Sequence, residues 1–322
     1  MQLDNTRIAV RERTLPEVFD LALHVTREFA GPWLLCSLLA IVPLAAINYY
    51  LIGWMTTVDY DSDLPGARFL WNMTLLIFIE APLASVFVVA YLGPAVFLEK
   101  KSIWQVIKDV FRIRKERADD PRTGLNLMLC QLLLRGILPT WLLYLMLDRS
   151  AEPNGFIEWF LVPVVVASWS GTMRAFRPYI NEIILLERNP LISRNPHQIT
   201  IHRRSSHLHG PSSADLFVRW FLSAGVGLFL IGLALVTVTL LIGILVSEWP
   251  ITVDLSGGQL FSFELNWFHI QVMYPFCLWL VVAWFSIVRF LSYLDLRIRH
   301  EGWEVELLMR AEALRMAAKV GA

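Results

Sequence analysis

The strongest constraint on the fold is a stretch of 25 residues, 222–246, that contains no charged side chain. A bilayer core about 30 Å thick is crossed by a helix of about 20 apolar residues, so this stretch is long enough to span a membrane. Six segments meet the same requirement: 33–54, 70–97, 125–147, 156–178, 220–247 and 268–292. The sequence therefore predicts an all-α, polytopic membrane bundle of six transmembrane helices.

The composition agrees with a membrane protein and excludes other classes. Hydrophobic residues make up 56% of the chain and charged residues 17%, against about 45–50% and about 25% in soluble domains. Lys plus Arg and Asp plus Glu both total 28, which gives a net charge of zero. The chain is therefore neither disordered nor a nucleic-acid-binding protein, and an ordinary soluble enzyme is not expected.

The distribution of Lys and Arg predicts the orientation in the membrane. The segments outside the predicted spans that belong to one side contain 22 of these residues, and those of the other side contain 2. Cationic loops stay in the cytoplasm. We therefore expect a plasma (inner) membrane protein with a cytoplasmic N-terminal segment (1–32), a membrane domain (33–292) and a cytoplasmic C-terminal tail (293–322).

Three segments on the predicted cytoplasmic side have the pattern of amphipathic helices: 14–29, 101–117 and 303–318. In the first, Thr14 and Glu17 form a capping-box pattern before an apolar stripe that includes Val18, Ala22 and Val25. Such helices lie at the interface, with their basic side toward anionic headgroups. We expect them to bind anionic inner-leaflet lipids. The alternative is a docking surface for a cytoplasmic or membrane protein partner.

A short phrase of leucine and an acidic residue follows the second, fourth and sixth predicted spans. Its members are Leu98 with Glu99, Leu186 with Glu187, and Leu294 with Asp295. In each case a cation follows within two residues. This pattern predicts three helical hairpins (33–97, 125–178 and 220–292). It places these exit motifs at the cytoplasmic edge of the membrane.

Two stretches around these motifs resemble a known family. Residues 91–109 (YLGPAVFLEKKSIWQVIKD) and 293–306 (YLDLRIRHEGWEVE) are similar to bacterial integral membrane proteins of the YciC and glycerophosphodiesterase-membrane-domain type. The resemblance implies a six-span topology with an amphipathic cytoplasmic helix after the second span. It implies no activity, because the phosphodiesterase of the family label is a separate soluble domain that nothing in this chain resembles.

Three polar side chains fall inside the predicted spans. Glu80 and Arg135 both lie near mid-depth, and Gln131 lies one turn before Arg135 on the same helix face. A charged side chain at this depth must be paired or must face water. One interpretation is a proton or ion relay, or a recognition site for an anionic group. The other is a buried pair that determines the register of adjacent helices.

Four histidines lie close together, at His197, His202, His207 and His209. Imidazoles bind zinc or copper, and an extended strand would place His207 and His209 on one side. However, the surrounding Asn, Pro, Ser and Gly residues are typical of a solvated loop. We therefore expect no metal site here, with these four histidines as the weak candidates.

The sequence contains no phosphate-binding glycine loop, nucleophile elbow or clustered carboxylate pair. The favoured hypothesis is a non-enzymatic scaffold or accessory subunit of a membrane complex, with no cofactor. The alternative is a small transporter or channel subunit that uses Glu80 and Arg135. Prolines inside the spans suit the alternative, because kinked helices build transport sites; they are Pro43, Pro82, Pro94, Pro139, Pro163 and Pro275.

Overall fold

The fold was analysed in a computed structural model. It describes residues 11–58, 67–96, 99, 101–111, 123–146, 162–187, 189–190, 199–246, 251–252, 262–263 and 268–302. Thirteen α-helices occur in these ranges: α1 (Leu15–Glu28), α2 (Ala30–Ile52), α3 (Met55–Val58), α4 (Ala67–Ala84), α5 (Val86–Val96), α6 (Ile103–Val110), α7 (Thr123–Leu129), α8 (Ile137–Met146), α9 (Val162–Phe176), α10 (Ile180–Glu182), α11 (Ile201–His209), α12 (Ser213–Val246) and α13 (Tyr274–Glu301). Three π-helical turns adjoin them, Cys130–Leu134, Ile183–Glu187 and His269–Met273.

Two short strands complete the described elements. Strand β1 (Ile251–Thr252) pairs antiparallel with β2 (Ser262–Phe263), with Ile251 opposite Phe263 and Thr252 opposite Ser262. The sequence predicts a hairpin or loop turning at Gly257 and Gly258 in this region. The antiparallel pairing agrees with a hairpin, whereas the two glycines lie outside the described residues.

Four helices are long and apolar enough to cross a membrane: Ala30–Ile52, Arg68–Val96, Ser213–Ile244 and His269–Glu301. These four candidate spans coincide with the first, second, fifth and sixth predicted spans. The predicted third span is a bent pair of helices, Asn126–Leu133 and Ile137–Met146, which meet at 49°. In the predicted fourth span, 156–178, the described residues form the 15-residue helix α9. Six spans in three hairpins therefore remain a prediction.

The bend in the predicted third span occurs at a glycine rather than at a proline. Gly136 has a φ of +75°, in the left-handed region that glycine adopts without steric cost. Pro139 lies in the first turn of α8, where its missing N–H breaks no helical hydrogen bond. Pro43 lies inside α2, which runs unbroken for 23 residues. The expected proline kinks are thus not the cause of this bend.

Helix α13 forms the centre of the bundle. It packs against α1, α2, α4, α5 and α12. In an apolar stretch of 18 residues of this helix, 72% of the residues are buried. In α12 the corresponding share is 6%. The core therefore surrounds α13, and α12 lies at the periphery.

The apolar stripe of α1 packs against the rest of the bundle instead of facing lipid. Val18, Ala22 and Val25 are buried, and α1 contacts α13 over much of its length. The capping box forms as expected, because the Glu17 carboxylate accepts a hydrogen bond from the Thr14 backbone N–H at 2.8 Å. This hydrogen bond lowers the pKa of Glu17.

Helix α6 has one buried and one exposed apolar face. Val106 and Val110 are buried, whereas Trp104 is 72% exposed and Phe111 is 47% exposed. The basic residues that follow this helix, and the whole predicted segment 303–318, lie outside the described residues.

Candidate functional site

Glu80 joins three helices at the centre of the bundle. Its side chain is fully buried in α4. One carboxylate oxygen accepts a hydrogen bond from Asn48 Nδ2 of α2, and the other accepts one from Trp141 Nε1 of α8, both at 2.7 Å. The structure therefore gives Glu80 two uncharged donors and not Arg135, its partner in the buried-pair interpretation.

Arg135 binds backbone carbonyls at a break in another helix. Its Nη2 donates to the carbonyl oxygens of Arg177, at 3.2 Å, and Pro178, at 3.4 Å. These residues lie between α9 and α10, where the helix is interrupted. Free carbonyls at a break need donors, and the buried guanidinium supplies them.

Gln131 also contacts the segment after this break. It donates to Asn181 Oδ1, and Asn181 Nδ2 donates to the Pro82 carbonyl at 2.6 Å, near the end of α4. The next residue, Glu182, is fully buried and pairs with Arg289 of α13 at 2.8 Å between Oε1 and Nε. We call Pro82, Gln131, Arg135, Pro178 and Asn181 the helix-break layer.

Sequence reasoning missed Asn181 and Glu182. They follow the predicted fourth span, so they were counted in the loop that comes after it. The available signal was the apolar run that continues to Leu186 beyond them. An apolar run that continues past polar residues is consistent with a helix that is still buried.

Two exit motifs meet in a network of ion pairs that we call the charged end of the bundle. Glu187 accepts hydrogen bonds from Arg204 Nε at 2.6 Å and from the Tyr293 hydroxyl at 2.8 Å. Arg204 also pairs with Glu301 at the end of α13. The Glu187 carboxylate raises the pKa of Arg204, so this arginine stays charged.

Asp295 is the buried acceptor of the second exit motif. It is 1% exposed and accepts hydrogen bonds from Arg219 Nη1 at 3.0 Å and the Arg13 backbone N–H at 2.7 Å. It also forms an ion pair with Arg299 Nη2 at 2.9 Å. The carboxylate thereby connects α12, α13 and the residues before α1.

The leucines of the motifs have packing roles, and the first motif differs from the others. Leu186 lies directly against Gly93 of α5, where a Cβ would overlap its side chain. Leu294 is buried in the main core. Glu99 is exposed, and Leu98 lies outside the described residues. The threefold pattern therefore corresponds, in the part of the chain that the structure describes, to one buried acidic residue (Asp295), one partly buried (Glu187) and one exposed (Glu99).

The prediction of a loop around the histidines is wrong, because residues 201–209 form α11. In a helix, residues two apart point in different directions, so His207 is exposed while His209 is buried. The His209 Nδ1 lies 2.8 Å from the Ser205 carbonyl oxygen, and its ring stacks on Tyr179. Burial lowers the pKa of His209 to about 4.

Of the other histidine candidates, His202 is exposed and His197 lies outside the described residues. Among the residues that the structure describes, no group of three or more His, Cys, Asp or Glu is placed to hold a metal ion.

A cavity of about 440 Å³ lies between α4, α9, α12 and α13. Three arginines line it, Arg174, Arg219 and Arg289, and most of the remaining wall is apolar. Glu80 and Arg135 are not among its lining residues. The transporter hypothesis expects a cavity at these two residues, and this cavity does not meet that expectation.

Comparisons with known protein families, with curated proteins and with solved structures found no match. The resemblance to YciC-type proteins is therefore neither supported nor contradicted by them.

Proposed function

We propose that this chain is a multi-pass protein of the plasma (inner) membrane that acts as a non-enzymatic scaffold or accessory subunit of a membrane complex. In this proposal it crosses the membrane six times and has both termini in the cytoplasm. The observation that carries the proposal is the contrast in burial between two helices. In an apolar stretch of 18 residues, 6% of the residues are buried in α12 and 72% in α13. An apolar helix that packs so little against its own chain is available to another transmembrane helix.

The contacts of the polar residues favour a structural role over catalysis. Glu80 is held by two neutral donors, Glu182 by Arg289, and Asp295 by two arginines. A general acid or base must reach a substrate. These carboxylates are instead engaged in contacts between helices, which supports a rigid frame.

The side of α12 that faces away from the cavity has the features of a helix-packing surface. A Cβ added to Gly225 or Gly232 would meet no atom of this chain within 4 Å. The two glycines lie seven residues apart, and therefore on one side of the helix, with Phe229 between them at 69% exposure. Small residues let membrane helices approach closely.

The exposed face of α6 supports contact with lipid. Trp104 in the first turn of α6 and Phe111, the C-cap residue that follows the helix, are both exposed. Aromatic side chains of this kind prefer the membrane interface. We propose that this face contacts the anionic inner leaflet beside the bundle.

Affinity purification in mild detergent tests the scaffold role. We expect the wild-type chain to retain a stoichiometric membrane partner. The double variant Gly225→Leu, Gly232→Leu adds bulk only to the outer side of α12, so it should fold normally and lose the partner. Gly31→Leu is the matched control, because a Cβ at Gly31 in α2 also meets nothing within 4 Å.

Two outcomes would contradict this proposal. One is a monodisperse single protomer with no partner, obtained both in mild detergent and in native lipid discs. The other is retention of the same partner by the double variant at the wild-type ratio, which would remove α12 from the interface.

The alternative, a small transporter or channel subunit using Glu80 and Arg135, has less support. Glu80 is enclosed by Asn48 and Trp141, and Arg135 is bound to carbonyls at a helix break. Both contacts stabilise the bundle and leave neither residue on the cavity wall.

A further inference from the structure

The cavity between α4, α9, α12 and α13 has an apolar wall with few free hydrogen-bonding groups. Four hydroxyls of this wall, at Thr74, Ser85, Ser286 and Ser292, each donate to a carbonyl oxygen three or four residues earlier, at 2.6–2.8 Å. These hydroxyl protons are therefore not available to a ligand. The wall favours a hydrocarbon chain over a polar molecule.

The arginines of the wall differ in their partners. Arg219 pairs with Asp215 at 2.9 Å and with Asp295 at 3.0 Å, and Arg289 pairs with Glu182. Arg174 has no carboxylate partner among the described residues. Its Nη2 donates to the Phe78 carbonyl, and its guanidinium lies 4.1 Å from the centre of the Phe78 ring.

Arg174 also retains an unused donor. Its Nε is buried and lacks a hydrogen-bond partner among the described residues. A buried charge without a counter-ion is costly. An anion in the cavity would supply both the missing charge and the missing acceptor.

The length of the cavity fits a long acyl chain. Its lining residues on α12 extend from Leu216 to Ile231, about 22 Å along the helix axis. This length is comparable to that of an extended long-chain fatty acid.

We propose that the cavity binds a long-chain fatty acid, with its carboxylate at Arg174 and its chain along the apolar wall. A carboxylate carries one charge, which matches the one arginine of the cavity wall, Arg174, that has no carboxylate partner among the described residues. A phosphate monoester would bring close to two charges. This inference is independent of the scaffold role, because the cavity and the outer face of α12 lie on different sides of that helix.

Native mass spectrometry of the full-length chain in mild detergent tests the proposal, with palmitate as the probe and palmitic acid methyl ester as the uncharged comparison. We expect one palmitate per protomer and at least tenfold weaker binding of the ester. Arg174→Met keeps the side-chain length and removes the charge, so it should weaken palmitate binding about tenfold to a hundredfold. Arg177→Met is the matched control, because this arginine lies three residues away and does not line the cavity.

A second variant keeps the test decisive if Arg174→Met does not fold. Ala224→Trp fills the wall of the cavity and leaves Arg174 in place, so it should abolish binding of the single palmitate. Equal binding of palmitate and its methyl ester would overturn the proposal. Unchanged binding in folded Arg174→Met, unchanged binding in Ala224→Trp, or stoichiometric displacement of palmitate by phosphatidylglycerol would also overturn it. The scaffold proposal would be unaffected, because its test measures partner retention.

Discussion

A buried carboxylate needs donors on several sides, and the position of Asp295 on α13 provides them. The side chain accepts hydrogen bonds from Arg219 and from the backbone N–H of Arg13, and it forms an ion pair with Arg299. The charge is therefore balanced by groups from segments that are far apart in the chain. The leucine–acid phrase alone shows only that an acidic residue follows an apolar run.

Asp295→Asn should destabilise the protein strongly, because it leaves Arg219 and Arg299 around a neutral side chain. Loss of one partner from a buried ion pair costs about 3–5 kcal/mol in the free energy of unfolding. Asp215→Asn is the matched control, since Asp215 contacts the same two arginines but its side chain is 51% exposed. The control should cost about 0–1 kcal/mol. Denaturant unfolding of both purified variants measures the difference, and equal losses would contradict the assignment of Asp295 as the central acceptor.

His209 should make the stability depend on pH. Its folded pKa of about 4 lies below the usual value of about 6.5, so the unfolded chain takes up the proton first as pH falls. The contribution of neutral His209 to the free energy of unfolding is complete above pH 6.5 and is lost progressively toward pH 4. The neighbouring cationic groups Arg135, Arg177 and His300 act in the same direction as burial. Between pH 7.5 and 5.5 the free energy of unfolding should fall by about 1 kcal/mol.

Two histidine variants isolate this effect. His209→Gln should remove the loss of stability between pH 7.5 and 5.5, whereas His202→Gln, at an exposed position of α11, should retain it. A pH dependence that is identical in both variants would assign the effect to another group.

At the level of elements, sequence reasoning succeeds where one physical quantity decides. Uninterrupted apolar length predicts α2, α12 and α13, because a bilayer demands that length. Interruptions inside such a run have weaker signals, since Gly136 and Pro178 are ordinary residues of membrane helices. The depth of a residue along a span does not show on which side of the helix its side chain lies. For this reason one interpretation paired Glu80 with Arg135, whereas the structure gives them separate partners.

The wrong prediction of a loop at α11 has a different cause. Its local sequence of Arg, Ser and His has little apolar character, so propensity and periodicity favour a loop. The helix is instead held by the Thr200 cap and by burial of Ile201 and Leu208 against the bundle. Tertiary contacts decided this element, and no window of local sequence contains them.

The bend between the third span's two helices gives a prediction at the same scale. Gly136→Ala should destabilise the protein by about 1–2 kcal/mol, because an L side chain is strained at a φ of +75°. An added Cβ would meet only Trp169 at 3.7 Å, an ordinary contact, so the cost is conformational. Gly31→Ala is the control and should be neutral or slightly stabilising, since Gly31 is helical and has open space around it. A loss at Gly31 equal to that at Gly136 would contradict this cause.

At the level of the whole molecule, the charged end gathers segments from distant parts of the chain. Arg13 and Asp295 are 282 positions apart and in direct contact, and Glu187 joins α11 with α13 through Arg204 and Tyr293. All of these residues belong to the side that the distribution of Lys and Arg assigns to the cytoplasm. The network therefore agrees with the proposed topology, in which these segments share one compartment.

Cysteine labelling tests that topology. The native Cys36, Cys130 and Cys277 are buried and can be replaced by alanine to give a silent background. In that background Asp254→Cys should react with a membrane-impermeant maleimide in intact cells. Lys108→Cys, on the exposed side of α6, should react only after permeabilisation, because the positive-inside distribution places it in the cytoplasm. Arg27→Cys, at an exposed position of α1, should behave like Lys108→Cys. Labelling of Lys108→Cys and Asp254→Cys in the same compartment would require an even number of crossings between them, and the proposed six-span topology would then be wrong.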